Sequence, residues 1–592
     1  MSVQMFSFGR VASVSLFAML FGLSLATAAA PTLDTSFGVN GIVEQSFPDE
    51  TLGGFVLSSL IQRDGRILAS GRYVYGKGSF GRSLYRDALV RYDEDGSLDA
   101  SFGQAGVLSS SPPEPAFLQR DGKIVGVGPT GLTRINSDGS PDAGFITDGA
   151  AAIPWFPDIF PGNLAQQADG KIIAFGTVPS LSGLVLVRFN TDGALDSTFN
   201  NDGFVLVPHG SSDVLGAALA IRPDGKLVIA TSTAYSTARR FMLTQYYPDG
   251  TLDSKFGSGG TASATFTSLV TGTVMLVRQP DGRLIVAGVD YVLVTQNYPV
   301  HSLRLVGFTP TGQVDLGFGT GGTVNLKTEG GPNAAEVRDL KTQPDGKLLI
   351  VYETQLPFAP SQMVRVMRFA VDGAADPTFG NVGTLIASPM GDIRTIALQP
   401  NGDLVFGGTS ATGDFALARF VSGPSAAIEY YNASLNHYFL SMNPQEVGDL
   451  DLGVQPGWVR TGLSFLTYGS AASATGTSAN PVCRFHIPPQ HGNSHFFSAD
   501  PVECAIAVNK IDTDPNFSGY IEETSNAFYI DLPDKATGIC PANTTPVYRL
   551  WNQAPASNHR YTTSVIVKDQ MIANGWVAEG YGPNAIDMCA PQ

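Results

Sequence analysis

Cysteine does not occur before Cys483, and the chain has 7 histidines in 592 residues, of which His209 and His301 alone precede residue 424. That scarcity excludes a thiol nucleophile and a multi-histidine metal site from most of the length. Three further patterns are missing: the G-x-S-x-G elbow, the H-E-x-x-H pair and a phosphate-binding glycine loop. Charged residues make up 15% and the formal net charge is −16, so no general attraction to nucleic acid or anionic membrane exists. After residue 30 no stretch is long and apolar enough to span a bilayer. These absences predict no catalytic residue, no metal, no cofactor, no nucleic-acid partner, no transmembrane anchor and a monomer.

What is present begins with residues 1–30, which have the three zones of a secretory signal. Arg10 gives a basic start, an apolar run covers residues 11–25, and Ala28, Ala29 and Ala30 offer small residues for cleavage. No cysteine follows that site, so lipid attachment is not expected. The reading is a secreted or periplasmic protein. Its 67 Gly and 38 Pro suit strands joined by many tight turns, hence an all-β fold.

Self-comparison fixes the architecture. A polar turn followed by an apolar run recurs as QRDGRILASG at Asp64, QRDGKIVGVG at Asp121, QADGKIIAFG at Asp169, RPDGKLVIAT at Asp224, QPDGRLIVAG at Asp281, QPDGKLLIVY at Asp345 and QPNGDLVFGG at Asn401. The spacing, roughly fifty to sixty residues, is about that of a four-stranded propeller blade. A second signature alternates with it, as LDTSFGVNG at Asp34, LDASFGQAG at Asp99, PDAGFITDG at Asp142, LDSTFNNDG at Asp196, LDSKFGSGG at Asp253, VDLGFGTGG at Asp315 and ADPTFGNVG at Asp376. The first copy of the second signature precedes every copy of the first. The N-terminal half-unit is therefore available to complete the last, which closes a ring of seven and removes exposed sheet edges. An open superhelix of the same hairpins satisfies the count as well.

The seven Asp are read as structural. Arg91, Arg134, Arg188, Arg368 and Arg419, in the strands ahead of them, supply donors for a half-buried carboxylate. The other reading, a ring of calcium sites suggested by Asp93, Asp95 and Asp99, lacks the further oxygen ligands of an EF-hand loop. Phe37, Phe102, Phe145, Phe199, Phe256, Phe318 and Phe379 are expected to pack between blades. Together the paired x-D-G-K-[IL] and G-x-L-D-x-x-F-G-x-x-G units resemble the delta-60 repeat family of exported bacterial proteins over about residues 33–420. The resemblance implies a propeller-like domain and no defined activity.

From about Ile428 aromatic, histidine and cysteine content rises. Three loose copies align as EYYNASLNHYFLS with GWVRTG, VCRFHIPPQHGNSHFFSA with GYIEET, and VYRLWNQAPASNHRYTTS with GWVAEG. His437, His495 and His559 are taken as equivalent, as are Trp458, Tyr520 and Trp576. These copies resemble a bacterial repeat module of unassigned activity found at the ends of exported and cell-wall-associated proteins. The expected domains are a propeller over 31–422, a linker over 423–427 and a three-repeat module over 428–592. The module is expected to be a pseudo-threefold, β-rich domain with short helices near 444–450, 502–510 and 565–573. Cys483, Cys504, Cys540 and Cys589 form an even set in an exported chain, so two disulfides are expected. Three connectivities exist, and Cys483–Cys504 with Cys540–Cys589 is preferred because it joins sequence neighbours.

The leading functional expectation is a non-catalytic scaffold whose C-terminal module recognises cell-surface glycan, peptidoglycan or protein. His437, Tyr438, His495, Phe496, His559 and Tyr561 are its candidate ligand contacts, because rings with nearby polar groups suit sugars and peptides. One alternative is a carbohydrate-active enzyme with paired carboxylates in the propeller mouth, since carboxylates from different blades leave no sequence pattern. A purely structural surface protein is the other.

Overall fold

The computed structural model describes residues 31–592 apart from 51, 110–113, 129–130, 147–149, 152–163, 179–182, 208–213, 234–238, 267–268, 296–297, 328–335, 356–361, 382 and 386–389. The signal expected over 1–30 and His209 lie outside the described residues. Each Asp-Gly or Asn-Gly turn closes a hairpin, and its glycine sits at a φ between 78° and 87°, which side chains with a Cβ rarely adopt. The apolar runs on either side form antiparallel strands. Among the described residues these make seven blades, whose inner strands are Gly54–Ile61, Glu114–Leu118, Leu164–Gln166, Val214–Ile221, Leu269–Arg278, Glu336–Thr342 and Met390–Leu398.

Each inner strand packs against the next, and Met390–Leu398 packs against Gly54–Ile61, so the ring is closed rather than an open superhelix. Blades 1 to 6 each have four strands. Blade 7 takes its outer edge from the chain's beginning: Thr32–Leu33 and Ile42–Gln45 both pair with Phe415–Val421, with Leu33 opposite Phe420 and Val43 opposite Leu417. Every blade interface has its own apolar cluster, and each holds one phenylalanine of the second signature: Phe102, Phe145, Phe199, Phe256, Phe318, Phe379 and, across the closure, Phe37. Burying each ring contributes about 2–3 kcal/mol, applied where blade meets blade.

The second-signature aspartates work with those rings. Arg91 donates to Asp99 at 2.6 Å, Arg134 to Asp142 at 2.6 Å, Arg188 to Asp196 at 2.7 Å, Arg368 to Asp376 at 2.8 Å and Arg419 to Asp34 at 2.8 Å. The same guanidinium lies over the blade's phenylalanine, as Arg134 does at 4.3 Å from the Phe145 centroid. Arg91, Arg134, Arg188 and Arg419 also reach a turn carbonyl of the following blade, as from Arg134 to Thr191 O at 2.6 Å. The carboxylates are thus spent on protein donors. Blade 4 has Gln245 in place of arginine; it donates to Asp253 at 2.8 Å, and Arg222 supplies the bond to the next blade at Pro310 O. In blade 5 the position is Gly307, and Gln279 bonds Val371 O at 3.2 Å while Arg283 faces Asp315 at 3.3 Å.

The C-terminal residues form three copies of one unit, a hairpin, a helix and a third strand. The first has strands Ser425–Asn432 and His437–Ser441, helix α1 (Pro444–Asp451) and strand Trp458–Thr467. The second has Cys483–Ile487, Ser494–Ser498, α2 (Pro501–Thr513) and Ile521–Thr524. The third has Thr544–Trp551, His559–Thr562, α3 (Val565–Ala573) and Val577–Glu579. In every copy the hairpin's first strand lies in the middle of the sheet. The first of these strands starts at Ser425, inside the stretch expected to be linker, because Ala426 and Ala427 are buried in the module's core. Asn443, Asp500 and Ser564 cap the helices through their side chains, and proline leads α1 and α2. Disulfides join Cys483 to Cys504 and Cys540 to Cys589.

The module sits on the propeller face that carries the Asp-Gly turns. Gln445 of α1 donates to Ile61 O, Asp449 pairs with Arg63, and Arg460 donates to Pro344 O at 2.9 Å. Gly469 lies so close to blade 7 that a Cβ there would meet Asn401 O at 1.5 Å. A space of about 610 Å³ separates α1 from the ends of inner strands of blades 1, 2, 6 and 7. Helix α1 therefore overlies the ends of these inner strands on this face.

Candidate functional site

The hairpin register shows which residues of the three units correspond. Ser441, Ser498 and Thr562 each use a hydroxyl to accept the N–H of the helix-capping residue two positions on. Counting back from them, His495 and His559 are equivalent to Tyr438, not to His437. Strand pairing agrees: Tyr438 faces Tyr431, His495 faces His486 and His559 faces Trp551. The expected histidine trio is corrected accordingly, since a one-residue slip in a strand moves a side chain to the other face. His437 instead corresponds to Ser494 and Asn558. These three positions are buried where the second strands of all units touch, and Asn558 ties them together through Asn436 O at 2.7 Å, Ser494 Oγ at 3.1 Å and Tyr438 N at 3.4 Å.

Between neighbouring units the same charged group recurs. Arg484 of the second unit binds Glu446 of α1 through two bonds of 2.8 and 2.9 Å and meets Glu523 at 2.8 Å, with His495 3.4 Å from Glu523. Arg549 of the third unit binds Glu503 of α2 at 2.9 and 3.0 Å and meets Glu579 at 3.0 Å, with His559 3.5 Å from Glu579. At the remaining junction the polarity is inverted, since Glu429 stands at the arginine position and receives Arg560 in two bonds of 2.9 Å. A group repeated at successive junctions serves the assembly of the units.

What departs from the repeat marks the site. The junction of the first two units faces the propeller, with Arg484, Glu446 and Glu523 bordering the same space as Asn401 and Pro400. The junction of the second and third units opens into a cleft of about 730 Å³. Its walls are the α2 face of Val502, Ile506 and Ile511 together with Phe517, Tyr520 and Trp551. At its floor are Arg549, Glu503, Glu579 and His559, joined by Asp500, Tyr581 and Asp587. Helix α2 has no buried residue, and Val502 and Ile506 are 61% and 51% exposed. The Cys483–Cys504 bridge fastens it to the sheet.

The floor is electrostatically crowded. Asp587 lies 3.3 Å from Arg549 through Oδ1, is 4% exposed, and has no partner on Oδ2. Burial pushes its carboxyl up to about 7 despite Arg549, and Glu503, Glu579 and Asp500 push the same way. Burial holds the His559 imidazole below its ordinary value, outweighing its bond to Glu579, so the ring is neutral at pH 7. Donating Nε2–H to Glu579 leaves its buried Nδ1 an acceptor without a partner. Tyr581 donates to Asp500, which also takes Lys535 at 2.7 Å; burial and that carboxylate raise the phenol.

Of the six residues expected to contact ligand, Phe496 and His559 border this cleft. His495 lies in the first junction, with Phe439 at 4.7 Å. Tyr438 stacks near Tyr431 and under Arg560 at 4.2 Å, at the inverted junction. His437 is interior, and Tyr561 is a core residue whose hydroxyl donates to Phe497 O and accepts from Phe497 N. Sequence reasoning missed Trp551, Ile506 and Asp587. A signal existed for the last alone, an aspartate two residues before the disulfide-bonded Cys589, at the entry to the closing strand Met588–Pro591.

No curated protein matches the chain. Among solved structures, a protein of unknown function from Dyadobacter fermentans is similar at 10% identity, covering 64% of this chain and 98% of that one, with a TM-score of 0.32. Drosophila Plexin A, solved in complex with Semaphorin 1b, is similar at 9% identity over 67% of this chain and 88% of that one, with a TM-score of 0.30. Residues 62–102, 119–145, 167–199, 222–256 and 343–379 are similar to the model of a domain of unknown function (DUF5122) beta-propeller, a match consistent with a propeller repeat family.

Proposed function

We propose that the protein is an exported, non-catalytic binding protein, in which the propeller is a scaffold and the C-terminal module recognises cell-surface material: glycan, cell wall or protein. The observation that carries the reading is the cleft of about 730 Å³ between the second and third units, walled by aromatic and aliphatic side chains over a polar floor. The signal-like first thirty residues and the two disulfides support an oxidising destination. A binding assay tests this: the full chain, purified with its disulfides intact, is incubated with bacterial envelope fractions and a glycan array beside Trp551→Ala. Capture that the variant loses by at least about tenfold, some 1.4 kcal/mol, is expected. Absence of capture from every fraction overturns the reading in favour of a structural protein, and release of soluble product from a polysaccharide favours an enzyme.

A further inference from the structure

Arg549 is surrounded by more negative charge than one guanidinium neutralises. Its Nε faces Glu579, Nη1 faces Glu503 and Asp587, and Nη2 faces Glu503, so each nitrogen is committed to a carboxylate. That leaves it ill suited to receive an anionic ligand. The related group around Arg484 holds Glu446 and Glu523 alone. Asp587 is thus an added carboxyl at the junction that opens to a cleft, and its Oδ2 is buried without a partner. An unpaired buried acceptor is destabilising, and a donor from a ligand relieves it. Above this floor the walls are largely aliphatic and aromatic, with Ile506, Ile511, Phe517 and Trp551 lining the way in beside one cation, Lys510, whose Nζ is held over the Phe517 ring at 4.8 Å.

An apolar passage ending in surplus negative charge is complementary to one kind of group. We infer that the cleft is a receptor for a cationic head on an aliphatic stem, the lysine or arginine side chain of a peptide or protein partner. The stem packs along Ile506 and Trp551, and the head takes Asp587 Oδ2 as acceptor beside Glu579 and Glu503. The inference rests on the binding reading above and names its ligand class.

Binding carries a proton signature. Arg549, Glu503, Glu579, Asp500, Tyr561 and Tyr581 are the charged and titratable groups around Asp587, with His559 set against Glu579 and Lys535 against Asp500. A cation seated there favours its ionised form, so affinity falls as pH drops through about 7, by about tenfold between pH 8 and pH 6.

The experiment is calorimetric titration of the full chain with three probes: an acetylated and amidated Gly-Lys-Gly peptide, its norleucine counterpart, and glucosamine. The lysine peptide is expected to bind at least tenfold tighter than the norleucine peptide and than glucosamine. Asp587→Asn should weaken it about tenfold, and Ile506→Lys, at an exposed position of α2, should abolish it without lowering the melting temperature. Equal binding of the two peptides, tighter binding of glucosamine, or an unchanged affinity in both variants overturns the inference. If envelope capture in the previous assay persists while the lysine peptide fails to bind, the ligand class is wrong and the binding reading stands. If capture is also absent, both fail.

Discussion

Asp403 stands in blade 7 where the other blades place a lysine or arginine, because the turn there reads Asn-Gly-Asp rather than Asp-Gly-Lys. It accepts the Ser422 N–H at 2.9 Å and the Asn401 amide at 2.9 Å, and it is 2% exposed. Burial pushes its carboxyl up to about 6, with Asp34 adding to the effect and Arg419 opposing it. The folded state therefore holds this proton more tightly than the unfolded chain, where aspartate titrates near 4. Its stabilising contribution is complete below about pH 4 and lost as pH rises through 6. Asp403→Asn should raise the unfolding free energy by about 2 kcal/mol at pH 8 and leave it unchanged at pH 4, as chemical denaturation at the two pH values would show. The residue scale is also where sequence and structure part most. The Arg-Asp-Phe set was legible because it repeats, yet Gln245 and Gly307 break it, and Arg222 and Gln279 repair it from a neighbouring strand. His437 was misaligned because an Asn-His pair precedes the aromatic run in the first unit one position early, and strand periodicity makes that slip decisive.

Elements were read more reliably than residues. The blades follow from turn glycines flanked by β-branched runs, and the three helices fall where Asn443-Pro444, Asp500-Pro501 and Ser564 give start signals. The sequence gives no hint, however, that α2 lacks a buried face. Its hold on the module comes from the Cys483–Cys504 bridge, spanning 21 residues, and from Glu503 on Arg549. Replacing both cysteines by serine should cost about 3 kcal/mol. Hydrogen exchange should then show loss of protection confined to α2, with the sheets of the module unchanged. Retained protection in α2 would mean that its packing suffices without the bridge.

At the scale of the whole molecule, the covered propeller face and the cleft were illegible. Gln445, Asp449 and Gly469 carry no recurring pattern, and their partners Ile61, Arg63 and Asn401 are separated from them by the chain's own folding. Gly469 offers the sharpest test of that docking. Gly469→Val places a side chain against the Asn401 carbonyl, so the module should lift from the ring. Small-angle scattering should report a larger radius of gyration, and calorimetry should resolve two melting transitions in place of one. A variant that melts in one step at the wild-type dimensions would show that the interface adapts.

The seam in blade 7 also sets an order of events in time. Leu33 reaches its partner Phe420 only after nearly the entire ring has been made, and Arg419 waits for Asp34 across the same gap. Blades 1 to 6 assemble from neighbouring segments, whereas closure is the contact of greatest sequence separation and therefore the slow step of folding. Until it occurs, Phe415–Val421 presents an unpaired edge to any passing strand, and afterwards no blade can leave the ring without first releasing the chain's beginning.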